Sequence, residues 1–75
     1  MANPPIENTI RRCRFDAGEM TQKALAEQVG VTRQTIIAIE NAKYSPTLEL
    51  AFQIAAVFGK ELGEVFTYIP KGPKP

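Results

Sequence analysis

Between Gln22 and Asn41 the chain reads QKALAEQVGVTRQTIIAIEN, two short helical patterns broken once, at Gly30. This stretch constrains the fold more than any other, because the break leaves little choice in how the two helices meet. Glycine reaches the left-handed conformation that ends a helix and turns the chain sharply. Ala26 is small where a second helix would have to come close. Ile36 and Ile39, three apart, lay an apolar stripe along the second helix of the pair.

The same local device starts both helices. Thr21 is expected as one N-cap, with Met20 before it and Leu25 at the fourth helical position, the spacing of a hydrophobic staple. Thr32, Val31 and Ile36 repeat the arrangement for the next helix. Two stapled helices joined by a glycine turn read as a helix-turn-helix, over 22–41. Arg33, Gln34 and Thr35 then fill the first turn of its second helix, the part that can be pushed into the major groove of DNA.

Seventy-five residues suit a single domain, 1–75. A chain this short buries only about 60% of its unfolded surface and is often helped by a second subunit. With 44% hydrophobic and 23% charged residues it is too apolar for a disordered chain. The net charge of +1 gives no global basic field, but Arg11 to Lys43 holds six basic residues against four acidic ones, a local bias toward polyanions. There is no histidine and one cysteine, Cys13, which is expected as a small core residue. That leaves neither metal-ligand spacing nor a nucleophile with a base, so neither an enzyme nor a cofactor is expected. MANPPIEN has no basic start or apolar core, and no run approaches the length of a membrane span. A reducing, cytoplasmic setting without membrane contact is expected.

Elsewhere the pattern predicts more helix. Residues 1–5, with two prolines, should be irregular. Asn8 or Thr9 should cap a first helix whose face is Ile6, Ile10, Cys13 and Ala17, closed by Gly18. After the loop NAKYSPT, either Ser45 with Pro46 at the first position, or Thr47, should cap a fourth helix. Its expected stripe is Leu48, Ala51, Ile54, Ala55 and Phe58, with Gly59 as the stop. A short fifth helix should span about Leu62 to Val65. VFTYI, residues 65–69, is β-branched or aromatic throughout and should extend. The segment around Ile6 is its available partner, in a short antiparallel pairing of the two ends or in a strand exchanged across a dimer. The tail, 70–75, should be flexible.

From Ile10 to about Phe66, IRRCR, MTQKALAEQVGVTRQTIIAIENAKYSP and LELAFQIAAVFGKELGEVF strongly resemble the Cro/C1-type (XRE-family) helix-turn-helix regulators, particularly the short stand-alone kind. The resemblance implies an all-α, five-helix lambda-repressor-like domain over 10–66. It also implies a homodimer on a roughly palindromic operator, usually as a repressor. Three departures stand out. AGEMTQ is one residue longer than the family's GLTQ turn; Ala42 replaces the glycine of the family's NGK loop; Glu61 replaces a serine or threonine cap, so that helix end should be less well satisfied.

Base readout is expected from Arg33, bidentate to guanine, and Gln34, bidentate to adenine, with Ala38 against a thymine methyl and Ile37 either against a thymine methyl or packed on Tyr44. The plain alternative is that Arg33 and Gln34 belong to a solvated polar face. Phosphate contacts are expected from Gln22, where the helix dipole favours an anion, and from Thr32, Thr35 and Lys23. By the resemblance, Asn41, Lys43 and Tyr44 meet the DNA backbone, and Arg14 pairs with Glu40 and points toward phosphate. Leu50, Val57, Phe66, Tyr68 and Ile69 are expected as core or homodimer contacts, and are the dimer candidates. They would form the partner surface if the chain were instead an antitoxin-like protein-interaction module. A chain of this length leaves no room for a ligand-sensing domain, so no small-molecule ligand is expected.

Overall fold

The structure, a computed structural model, describes residues 5–70. Seven elements follow in order: β1 (Ile6–Asn8), α1 (Ile10–Asp16), α2 (Gln22–Val29), α3 (Arg33–Glu40), α4 (Leu48–Val57), α5 (Leu62–Val65) and β2 (Phe66–Tyr68). β1 and β2 pair antiparallel, with Ile6 opposite Tyr68 and Asn8 opposite Phe66. The fold is therefore a five-helix domain whose two ends meet in a short ribbon.

Threonine side chains start three of the helices. Thr21, Thr32 and Thr47 accept from the backbone N–H groups of Ala24, Thr35 and Leu50. Each satisfies one of the donors that a helix start leaves without an intrahelical partner. Thr47, not Ser45, is thus the cap of α4. Met20 and Val31, the residues before the first two caps, pack against the core. Gly30 ends α2 at φ +75°, and the N–H of Val31 closes onto the carbonyl of Ala26.

The core is one cluster. Ile10, Leu25, Ile36, Ile39, Ile54 and Val65 are its largest fully buried side chains, one or more from every helix. Cys13 belongs to it as a buried free thiol.

Several expectations are corrected. Ile6 lies in β1 rather than on the face of α1, and Ala17 is the exposed C-cap, so the buried stripe of α1 is Ile10 and Cys13 alone. Thr9 makes no side-chain cap; the side-chain Oδ1 of Asn8 accepts from the N–H of Ile10 instead. Thr9 is drawn away to α5, its hydroxyl donating to the Glu64 carbonyl at 3.0 Å. On α4, Leu48 is exposed and Leu50 is buried. At about 100° per residue, Leu48 falls beyond the edge of the arc shared by Leu50, Ala51, Ile54 and Ala55. Val65 closes α5 and is buried, so the extended strand is shorter than the VFTYI run. Beyond it, the Ile69 N–H still donates to the Pro5 carbonyl. Residues 1–4 and 71–75, which hold most of the expected irregular start and flexible tail, lie outside the described residues.

The three departures from the family pattern have structural outcomes. The longer first turn is taken up by two consecutive left-handed residues, Gly18 at φ +87° and Glu19 at φ +60°. Ala42 is left-handed at φ +58°. It completes a Schellman closure of α3, with the N–H groups of Lys43 and Ala42 donating to the carbonyls of Ala38 and Ile39. The start of α5 is better satisfied than expected, because the Glu64 carboxylate reaches back to the Glu61 N–H at 2.8 Å. This is the reach-back half of a capping box.

Candidate nucleic-acid interface

Arg33 and Gln34 are exposed on the first turn of α3. Beside them the hydroxyls of Thr32 and Thr35 lie 3.0 Å apart, with the Thr32 oxygen also capping the helix. Ile37 and Ala38, further along, are half-buried, while Ile36 and Ile39 are sunk in the core. The helix therefore has one face locked inward and its opening turn outward. Asn41, Lys43 and Tyr44 follow in the turn and are all exposed.

A polar knot holds this helix to its neighbours. Arg14 of α1 grips Glu40 at the end of α3 through two donors, Nε to Oε2 at 2.6 Å and Nη2 to Oε1 at 3.1 Å. Its remaining nitrogen donates to the Met20 carbonyl at 2.8 Å. The Gln22 amide, from the first turn of α2, donates to Glu40 Oε1 at 3.2 Å. The two charged side chains are only 16% and 8% exposed. With a planar guanidinium on a carboxylate and the other donors matched, the pair is oriented in a way that a surface ion pair is not. Glu40 thereby ties α1, α2 and α3 together.

Around the knot lies an open polar depression of about 580 Å³, lined by Arg11, Arg14, Gln22, Lys23, Arg33 and Asn41 among others. Of its charged lining, Arg11, Arg14, Lys23 and Arg33 are positive and Glu40 alone is negative. The Arg14–Glu40 pair cancels internally, which leaves Arg11, Lys23 and Arg33 to set the sign. The depression sits at the N-terminus of α2, where backbone N–H groups and the helix dipole add to the positive potential. Gln22 contributes twice, since its amide nitrogen keeps a second N–H beyond the one given to Glu40.

Two participants are absent from the expected set. Arg11 lines the depression, and its place three residues before Arg14 on one helix puts it on the same face, a signal the sequence does carry. Asn8 is the other. Its amide donates to the Ile39 carbonyl of α3 at 2.8 Å, across 31 positions of sequence, and no local pattern marks it. The dimer candidates separate by exposure. Leu50 is core, Val57 and Phe66 are half-buried, and Tyr68 and Ile69 are exposed. Phe66 and Tyr68 line an apolar depression with Leu48 and Leu62, at the opposite kind of surface from the basic one. Among the described residues no helix is long and apolar enough to cross a membrane.

Comparison with known proteins agrees with this geometry. A helix-turn-helix family profile matches residues 10–65. The chain is 50% identical over 70 residues to an uncharacterised HTH-type transcriptional regulator of Methanothermobacter thermautotrophicus, covering 92% of this chain and 100% of that protein. It is 55% identical over 49 residues to one of Methanocaldococcus jannaschii, covering 65% of this chain and 74% of the relative. A Bacillus subtilis regulator of the same description is 41% identical over 61 residues, covering 81% and 91% of the two chains. With its capped helix pair, its closed α3 and its matching profile, this chain belongs to the Cro/C1-type (XRE) family of helix-turn-helix transcriptional regulators.

Proposed function

We propose that the protein is a sequence-specific double-stranded DNA-binding regulator, acting as a homodimeric repressor on a roughly palindromic operator. The observation that carries this reading is the placement of Arg33 and Gln34. They stand exposed at the opening turn of a helix whose other face is locked in the core, beside a depression of positive sign. Arginine and glutamine are the side chains that match guanine and adenine edges bidentately in the major groove. Gln22, Lys23, Asn41 and Arg11 line that depression; together with Thr32 and Thr35 at the start of α3 and Lys43 and Tyr44 in the turn after it, they would take phosphates. Such contacts fix register without reading sequence. Two copies related by a twofold axis would set their α3 helices about 34 Å apart, one turn of the duplex. Tyr68, Ile69, Phe66 and Val57 are the available dimer contacts, and repression then needs only occupancy of the operator.

A second reading, a protein-interaction module of the same fold, rests on the exposed apolar side chains Leu48, Phe52 and Tyr68. Selecting bound duplexes from random DNA at a stated salt concentration tests the first reading, since affinity without the salt is uninterpretable. A palindromic consensus with half-sites one helical turn apart is the expected result. Failure to enrich any sequence, in a folded protein, would leave the interaction module as the better account.

A further inference from the structure

We propose that Asn8 is a positioning residue for DNA binding: it braces the turn after α3 so that Asn41, Lys43 and Tyr44 meet the DNA backbone. The inference rests on the DNA-binding reading above and adds to it a residue from outside the helix-turn-helix. Asn8 lies in β1, at the edge of the terminal ribbon, opposite Phe66. Its two amide atoms are used in opposite senses. The oxygen accepts from the Ile10 N–H at 3.1 Å, and the nitrogen donates to the Ile39 carbonyl at 2.8 Å.

The Ile39 carbonyl is one of the last four of α3, which have no intrahelical donor. It also accepts from the Ala42 N–H at 3.0 Å, as part of the closure that sends the chain into Lys43 and Tyr44. Asn8 supplies the second donor that one carbonyl can take. Among the described residues, it is the sole side chain outside α2, α3 and their turn that hydrogen-bonds the backbone of α3. The brace is itself anchored. Next to Asn8, the Thr9 N–H and hydroxyl donate to the carbonyls of Val65 and Glu64, at the end of α5. The turn that would touch phosphate is thus held from behind by the ribbon and α5.

The opposite senses of the two bonds allow a clean separation of roles. Asn8→Asp and Asn8→Ser both keep an oxygen able to accept from the Ile10 N–H, in the manner of an Asx or Ser turn. Neither donates to Ile39: aspartate turns an acceptor toward the carbonyl, and serine is too short. Serine also controls for the charge that aspartate adds. The helix start of α1 survives in both while the brace is lost.

The test uses the full chain and two readouts. In the free protein, amide hydrogen exchange of Ala42 and Lys43 should quicken about tenfold in both variants, with Leu25 and Ile54 unchanged. On a duplex carrying the selected site, the slope of log K against log salt should become shallower. Each phosphate that the turn no longer neutralises in a half-site takes about 0.9 from that slope. A loss of stability alone would lower affinity without moving the slope. Wild-type exchange at Ala42 and Lys43 in the folded variants would overturn the brace. Quickened exchange with an unchanged slope and affinity would overturn its role in DNA binding. If the wild-type protein binds no duplex, the DNA-binding reading fails, and this role fails with it while the exchange data still decide the brace.

Discussion

The guanidinium of Arg14 lies against the carboxylate of Glu40 with two donors engaged, and both side chains are largely withdrawn from solvent. Removing one member of such a pair strands the other charge where water reaches it poorly. Glu40→Ala should therefore destabilise the fold by about 3 kcal/mol, at the lower end of the range for broken buried pairs. DNA affinity should fall with it, because α3 loses its ties to α1 and α2. Thermal melts and binding titrations of the one variant check both effects, and an unchanged melting temperature would remove the structural part.

Ala42→Gly should stabilise the protein. The alanine sits at φ +58°, where a Cβ crowds the following carbonyl at a cost of about 1–2 kcal/mol that glycine does not bear. Part of that gain is offset by the greater freedom of glycine in the unfolded chain, leaving about 0.5–1 kcal/mol. Gly30→Ala should do the reverse by about 1 kcal/mol: at φ +75° the strain lies in the backbone, since nothing stands within 4 Å of an added Cβ. Urea unfolding midpoints decide both signs.

Arg33→Ala and Gln34→Ala should leave the melting temperature within a degree or two, since both side chains are exposed and neither caps the helix. Each should cost about 1–3 kcal/mol of discrimination between the operator and its single-base variants. Competition binding with base-substituted duplexes measures this. Equal losses on all sequences would mark the residue as a phosphate contact instead.

Leu50→Ala should cost about 2–4 kcal/mol and Leu48→Ala less than about 0.5. The first side chain is in the core and the second is two-thirds exposed, although they stand two positions apart on one helix. Equilibrium unfolding of the pair reports which face of α4 points inward.

The legible parts of this chain are those decided within a few residues. Thr21 and Thr32 announce their helices because a cap bonds three positions ahead, and Gly30 because the turn conformation belongs to one residue. The meeting of the chain ends follows from VFTYI having one available partner. The Arg14–Glu40 pair follows from the family pattern, and the structure brings the two side chains together. The start of α1 is legible only in part, since Asn8 and Thr9 are both cap residue types and the hydroxyl of Thr9 is turned to the Glu64 carbonyl of α5. Leu48 and Leu50 are equally apolar, and only the direction of the core from α4 separates them. Asn8 is illegible as a brace because its partner, a backbone carbonyl, has no residue type to signal it.

The ribbon also has a kinetic meaning. The bond between Thr9 and Glu64 spans 55 positions, so the strands cannot meet until most of the loop between them has been closed. Contacts of that span are expected to be gained after the capped helices, which form on local information, because the loop-closure entropy must be met first. Weakening the ribbon, as by Thr67→Ala, should then quicken unfolding and leave the refolding rate almost untouched, which stopped-flow chevrons would show. On that expectation, the last structure to form is the one that holds Asn8 in place. The final step of folding, and the first of opening, would then be the step that completes or releases the far end of α3.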